Sequence, residues 1–522
     1  MMIHLRWLLW LLGSLVCLLF FFRKTDWNYN LLNAWTEKRY SQLLLRLSGI
    51  FLILSLFEKY SQFYCFQLNA NDFWLFVDIL EQAKKGGFFL TRFAPQNLGF
   101  VQHGSVHPML TWGLLTFPTW IFGAVHTALW FNPVFLSGAG FLLGLLTRKN
   151  WGTFGSLLWV FSFYASTQVG KVLFYEVHPE AAYPFFVFLW LWSVGLDGSQ
   201  QVRWKTLIIS VLLGMGIKED SFLVFGPWLI WYLVHFQGKQ RRAVALSSIL
   251  ATGVFILQLV AVNAWITKAW GPTVWQNSLV TVNAGVGAFQ GGHWNNFSSI
   301  LEIFQNLVQK TGGIEKAGSQ WFKFWISRPW LSLLIFAPWV LLRLQFGWVI
   351  IPLTIIYSLL DGPNHLWNYY FAPFLASFWF CASLIQKKKM ILWVLASTCL
   401  LGSSSIQIQI PDHSIRQFHQ EIETFASCLG DRGLVAPQFL GWIPQDKVWT
   451  ERQPTSTQQW DQIDFVLISP KTNRFELSLK DLDEILAYLQ SHPEWVQIGS
   501  NCLELTEAKI DSPILLFRRP LH

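Results

Sequence analysis

Apolar runs of bilayer length recur along this chain, separated by short clusters of Lys and Arg. A run of about 20 apolar residues can satisfy its own backbone as a helix and cross the hydrocarbon core of a membrane. Such runs fall near 5–22, 43–64, 126–147, 151–170, 180–196, 206–217, 221–236, 243–263, 330–342, 346–360, 371–386 and 390–406. Only 13% of the residues are charged, whereas soluble domains carry roughly a quarter. An all-α polytopic membrane protein is therefore expected, with about 11–13 transmembrane helices. The net charge of +8 does not point to nucleic acid, because the basic residues sit in the short segments between apolar runs.

Those basic segments set the expected orientation, since Lys and Arg gather in cytoplasmic loops. They are Arg23–Lys24 with Lys38–Arg39, Arg148–Lys149, Arg203/Lys205, Lys239–Arg241–Arg242, Arg343 and Lys387–Lys388–Lys389. The run at 5–22 lacks a small-residue cleavage site and reads as a retained anchor. The expected division is an anchor and cytoplasmic loop at 1–42, then a transmembrane domain at 43–410 with long outer loops 65–108 and 264–328, then an outer domain at 411–522. One stretch resists the scheme. Residues 109–147 must cross an odd number of times, yet they hold two apolar pieces. Either 109–122 is a partial or re-entrant element, bent at Pro118, or one basic cluster breaks the rule; both readings stay open.

With this orientation the polar clusters that look chemical share the outer side. Asn69–Pro108 is the first, with Asp72, Asp78, His103 and His107. Glu176, His178 and Glu180 follow in YEVHPE, then Lys218, Glu219 and Asp220 in GIKED, and His365 with Tyr369 in NHLWNYY. Ionisable groups at membrane depth are costly, which makes each a candidate for function. Asp72 stands where a carboxylate either caps a helix or activates a hydroxyl. His103, His107 and His178 either end helices or hold a divalent metal ion with nearby carboxylates. Three adjacent charges at 218–220 exceed what a hairpin tip needs. Lys218 suits a phosphate, and Glu219 and Asp220 would orient it.

After residue 410 the pattern changes to short strands at 433–440, 447–450, 464–469, 495–498 and 513–518, with a helix at 478–490. This is a small α/β domain. Cys428 and Cys502 lie within it and are positioned by composition to pair if it faces an oxidising compartment.

Taken together, the Asp-led segment at Asp72, His103–His107–Pro108, Glu176–His178–Pro179, Lys218–Glu219–Asp220 and His365–Tyr369–Tyr370–Pro373 resemble a domain-of-unknown-function family of bacterial multispanning membrane proteins. The resemblance covers about residues 45–385. It departs at Asp72-Phe73-Trp74, where the family favours Asp-Leu-Gly. That family is in turn similar to the C-type glycosyltransferases (GT-C), which take a sugar from a polyprenyl-phosphate carrier. The resemblance implies a bacterial inner (plasma) membrane location, a polyprenyl-phosphate-linked sugar donor, and an envelope glycan, lipid or protein as acceptor. It implies Asp72 as the catalytic carboxylate and Lys218 as the carrier-phosphate ligand. His103, His107 and His178 would line the pocket or bind a metal ion, and Glu176, His178, Glu219, Asp220, His365 and Tyr369 would bind the substrate or the carrier phosphate. A transporter or flippase, or a non-catalytic envelope-assembly subunit, is the alternative. A transporter of repeat type would show paired halves, and the chain shows none.

Overall fold

Two long helices set the frame: α1 (Glu37–Tyr64) and the Ala124–Thr153 part of α5 (Ala124–Ala165) lie side by side and antiparallel. Three rungs fix the register. Tyr40 Oη donates to the Gly144 carbonyl at 2.9 Å, Ser137 Oγ donates to the Ser48 carbonyl at 2.7 Å, and Tyr60 Oη meets His126 Nδ1 at 2.7 Å. In an apolar surround such hydroxyls need partners, and backbone carbonyls of a neighbouring helix supply them. The computed structural model describes residues 2–4, 37–65, 68, 71–87, 90–91, 101–102, 109–174, 177–218, 221–269, 319, 372–384, 407–409, 413–435, 448–450, 460–468, 479–499, 502–503 and 514–519.

Between α1 and α5 come α2 (Asn71–Lys84), a two-strand hairpin of β2 (Leu90–Thr91) and β3 (Val101–Gln102), and the short helices α3 (Leu110–Gly113) and α4 (Thr116–Phe122). After α5 follow α6 (Thr167–Phe174), α7 (Tyr183–Ser193), α8 (Trp204–Met215), α9 (Ser221–His235), α10 (Gly238–Ala269) and α11 (Ala372–Ser383). Among the described residues three helical stretches are long and apolar enough to cross a membrane: Arg39–Tyr64, Ala124–Thr153 and Gly238–Gln258. The pair Gly155–Ala165 and Gln168–Phe174, bent by 47°, passes the same test only when taken together as one span. The runs expected at 126–147 and 151–170 are two helices, Ala124–Thr153 and Gly155–Ala165, which meet at a kink where Gly152 takes a φ of +67°. A side chain at that φ would clash with its own backbone, so glycine is required. The runs expected at 5–22, 330–342, 346–360 and 390–406 lie outside the described residues, as do loop residues 270–318.

The connections sort the bundle into two ends. At the basic end Arg148 lies over the Tyr40 ring, with its guanidinium 4.5 Å from the centroid, and Arg203 pairs with Asp197 at 2.6 Å. Trp151 Nε1 donates to the Ser383 carbonyl, which brings the end of α11 to the same level, four residues before Lys387. At the opposite end lie the Tyr60 end of α1, the Phe174 end of α6 and the turn from α8 to α9. The basic segments at 148–149, 203–205 and 239–242 therefore gather at one end, as the charge rule requires.

The stretch 109–122 starts and finishes at the far end. The Thr111 amide donates to the Gly216 carbonyl at 2.8 Å, beside the α8–α9 turn. Four residues beyond α4, His126 meets Tyr60. A segment whose two ends share one level does not cross, which favours the partial-element reading. The chain turns at Leu114–Leu115 and again at Gly123 (φ +83°), whereas Pro118 sits inside α4. β1 (Met2–His4) pairs antiparallel with β4 (Gln407–Gln409).

The C-terminal unit has a five-stranded sheet in the order β6-β5-β7-β9-β8, from β5 (Arg432–Val435), β6 (Val448–Thr450), β7 (Phe465–Ile468), β8 (Val496–Ile498) and β9 (Leu515–Arg518). β5 is parallel to β6 and β7, and the other pairings are antiparallel. Alternate residues of β7 serve opposite faces. Val466 and Ile468 pack with Leu482, Ile485 and Leu489 of α13 (Leu479–Ser491), while Phe465 and Leu467 share a core with Ile422 and Phe425 of α12 (His413–Ala426). A Cys428–Cys502 disulfide, Cα–Cα 5.2 Å, ties the end of α12 to the loop after β8.

Candidate functional site

Three side chains from two distant turns meet at the end of the bundle opposite the basic one. His178 precedes Pro179, which restricts it to extended backbone, and it adopts φ −142°, ψ 133°. The proline then opens a single 3-10 turn, Pro179–Ala182, that leads into α7 and carries Glu180. Lys218 comes from the α8–α9 turn. Ser221 holds that turn at the start of α9: its hydroxyl accepts from the Lys218 amide at 3.2 Å and donates to the Lys218 carbonyl at 2.6 Å. Tyr183 Oη, at the head of α7, meets Ser221 Oγ at 3.1 Å and couples the two turns. Gly216 is required beside them, since a Cβ there would lie 2.7 Å from Thr111 Oγ1.

Glu180 is the hub. Lys218 Nζ donates to its Oε1 at 2.7 Å, and His178 Nδ1 contacts its Oε2. A carboxylate only accepts, so His178 carries its proton at Nδ1. Glu180 is 0% exposed, Lys218 8% and His178 7%. Burial by itself pushes the Glu180 carboxyl up, but the adjoining His178 and Lys218 outweigh it through charge and hydrogen bonding and hold it well below the ordinary carboxylate range. Phe76 of α2 sets its ring edge-on to His178 with centroids 5.6 Å apart, and Trp112 of α3 packs on Phe76 at 4.7 Å. An acid–base row is thus walled by aromatic rings at the end of a membrane bundle.

Of the residues singled out from sequence, the structure brings together His178 and Lys218. It joins them through Glu180, a residue noted within its motif and given no role. Asp72 is the second residue of α2, one helical turn before Phe76, and its side chain lies outside the described set. His103, His107, Glu176, Glu219, Asp220, His365 and Tyr369 lie outside the described residues. Asp78 is buried and accepts from Gln82 Nε2 at 3.1 Å, a contact within α2 itself. Among the described residues no three His, Cys, Asp or Glu side chains gather closely enough to hold a metal ion.

Sequence reasoning passed over Glu58, Lys59 and Gln62, all buried at this same end of α1. Lys59 Nζ donates to Gln62 Oε1 at 3.1 Å and to the Phe174 carbonyl at 3.4 Å. A cation at the C-terminal end of α6 complements the helix dipole, and it secures the chain four residues before His178. Adjacent charges in FEKYSQ, inside an apolar run, were the available signal.

The fold is similar to that of ArnT from Cupriavidus metallidurans bound to undecaprenyl phosphate, with a TM-score of 0.52 at 9% identity over 92% of this chain and 98% of that one. The Archaeoglobus fulgidus oligosaccharyltransferase in the apo form matches with a TM-score of 0.45 at 11% identity, covering 84% of this chain and 70% of that one. Arabinofuranosyltransferase AftD from Mycobacteria matches with a TM-score of 0.47 at 12% identity, covering 94% of this chain and 40% of that one. At such identities the likeness is one of fold, and the ArnT match bears out the expected GT-C-like architecture. No curated protein sequence matches this chain. Residues 62–429, more than half of the chain, match the family described as "Predicted membrane protein (DUF2079)", and the chain belongs to that family.

Proposed function

We propose that this protein transfers a sugar from a polyprenyl-phosphate-linked donor to an envelope glycan, lipid or protein on the outer side of a bacterial inner membrane. The observation that carries the reading is the buried Lys218–Glu180–His178 row, set at the end of the bundle opposite the basic end, on a fold shared with an undecaprenyl-phosphate-bound protein. Charge placement supports the cluster end as the outer one. The Cys428–Cys502 disulfide supports an oxidising surround for the 411–522 domain.

In this reading the acceptor hydroxyl attacks the anomeric carbon as the bond from that carbon to the carrier phosphate oxygen breaks. Asp72 takes the hydroxyl proton. The carrier leaves as polyprenyl phosphate, its new negative charge met by Lys218, which Glu180 orients. His178, Glu176, Glu219, Asp220, His365 and Tyr369 line the pocket. His103 and His107, with His178, are the residues that would hold a divalent ion, which would polarise the phosphate.

The test is complementation of a deletion strain with Asp72→Asn and with Lys218→Ala, each confirmed as inserted and folded by size exclusion in detergent. Both variants should let the sugar-loaded carrier accumulate and the glycosylated acceptor disappear. Wild-type envelope composition from both variants would sink the enzymatic reading.

A further inference from the structure

Each basic segment obeys the charge rule by itself, but that rule does not require the segments to meet. The turn between α7 and α8, residues 194–203, draws three of them together. Lys149 of α5 lays its stem over Gly198 so closely that a Cβ there would overlap it. Gln240 Nε2, in the first turn of α10, donates to the Val194 carbonyl at 3.0 Å and brings Lys239, Arg241 and Arg242 alongside. The Arg203 amide donates to the Ser193 carbonyl at 2.8 Å, which closes the turn and places Trp204 and Lys205 at its exit. Lys149, Lys205, Lys239, Arg241 and Arg242 are all exposed. Among the described residues none of the five makes an ion pair or a side-chain hydrogen bond. Asp197, the turn's own carboxylate, is already taken by Arg203 and Ser199. The turn thus gathers five cations and offers them no carboxylate.

Like charges gathered in this way repel one another, and an anion seated among them relieves the repulsion. Two features place that anion in the bilayer rather than in bulk water. The membrane-length stretch of α10, Gly238–Gln258, starts within this patch, so the cations stand at headgroup level. Trp204, 41% exposed beside Lys205, is an indole of the kind that gathers at that level. We infer that the α7–α8 turn, with Lys149, Lys205, Lys239, Arg241 and Arg242, is a binding site for the phosphodiester headgroup of an anionic phospholipid of the phosphatidylglycerol type. Basic pockets between membrane helices take such headgroups. A lipid held there bridges α5, α8 and α10 through one phosphate, at the end remote from the Lys218–Glu180–His178 row. The inference holds whether or not the protein transfers sugar.

The experiment is native mass spectrometry of the full-length chain in neutral detergent, titrated with phosphatidylglycerol and, separately, with phosphatidylcholine. The wild type should hold phosphatidylglycerol at concentrations where phosphatidylcholine leaves it bare. Lys149→Gln should weaken that binding about fivefold and Arg241→Gln with Arg242→Gln about 25-fold, at about fivefold for each basic residue near a membrane surface. The two variants lie on different helices, so a folding defect in one leaves the other to decide. Lys84→Gln with Lys85→Gln removes the same charge as the arginine pair from two exposed lysines outside the patch, and should change nothing. Unaltered binding by the patch variants overturns the inference, as does phosphatidylcholine binding as tightly as phosphatidylglycerol. Equal weakening by the Lys84 and Lys85 pair also overturns it, since attraction to net charge alone would then suffice. Glycerol 3-phosphate is the last arm: it should fail to displace the lipid, and displacement at concentrations comparable with the lipid's own would assign the site to a free phosphate ester instead.

Discussion

Each end of the bundle holds an ion pair, and the two are built in opposite ways. At the basic end Arg203 pairs with Asp197 at 2.6 Å but also donates to the Trp192 carbonyl and lies 3.9 Å over the Trp192 ring. Its partner, six residues away, accepts as well from the amide and hydroxyl of Ser199. This pair is local, partly solvated and redundant. At the cluster end Lys218 reaches a fully buried Glu180 whose other oxygen serves His178, and the partners come from turns 38 residues apart. Loss of one charge at the first end leaves other bonds in place. Loss of one at the second leaves a charge in low dielectric without its counter-ion. Loop closure suffices to explain the first pair. The second carries a desolvation cost that stability alone does not demand, which is why it is the better candidate for function.

The largest effect should come from Glu180→Gln, which keeps the shape and removes the charge. Breaking a buried pair from one side costs about 3–5 kcal/mol, so the detergent-solubilised variant should melt far below the wild type. Adding Lys218→Met should recover most of the loss, because replacing both charges by groups of similar volume is often near neutral. A double variant no more stable than Glu180→Gln would show that the pair is not the unit described.

The pH profile sharpens the same contrast. The Glu180 carboxyl is held below its ordinary value of 4.5 in the folded protein by His178 and Lys218. A folded value below the unfolded one means that the stabilisation is fully present above about pH 4.5 and drains away as pH falls towards the folded value. The gap in melting temperature between wild type and Glu180→Gln should therefore narrow as the pH is taken below about 4.5. A gap that closed as pH rose would contradict the ion pair.

Much of the frame was legible in the sequence because its signals are local. Basic residues between apolar runs marked one end correctly, and alternating short strands placed β5 to β9 within a few residues. α12 was not legible, although Ile415, Phe418, Ile422 and Phe425 recur at helical spacing, because its polar residues outnumber its apolar ones. The site was legible only in part. Hydropathy flags a charge in an apolar run but does not name its partner, so Lys218 was read with Glu219 and Asp220 rather than with Glu180. Lys59 was passed over for the same reason: its backbone partner, Phe174, is 115 residues away. The stretch 109–122 shows the limit most clearly. Its composition fits a short span, and only its neighbours, Gly216 at one end and Tyr60 near the other, show that it returns to the level it left.

The smallest effect belongs to the basic end. Asp197→Asn keeps an oxygen for the Ser199 bonds, and Arg203 keeps the Trp192 carbonyl and ring. A partly solvated pair of this kind is worth about 0–1 kcal/mol, so the melting temperature should move by a few degrees at most. That shift should shrink further in high salt, where the Debye length falls to about 3 Å at 1 M. The Glu180→Gln shift should persist in the same salt, because a buried pair is screened far less. Equal salt sensitivity at the two ends would mean that solvent reaches Glu180 as readily as Asp197, and the asymmetry on which the functional reading rests would be gone.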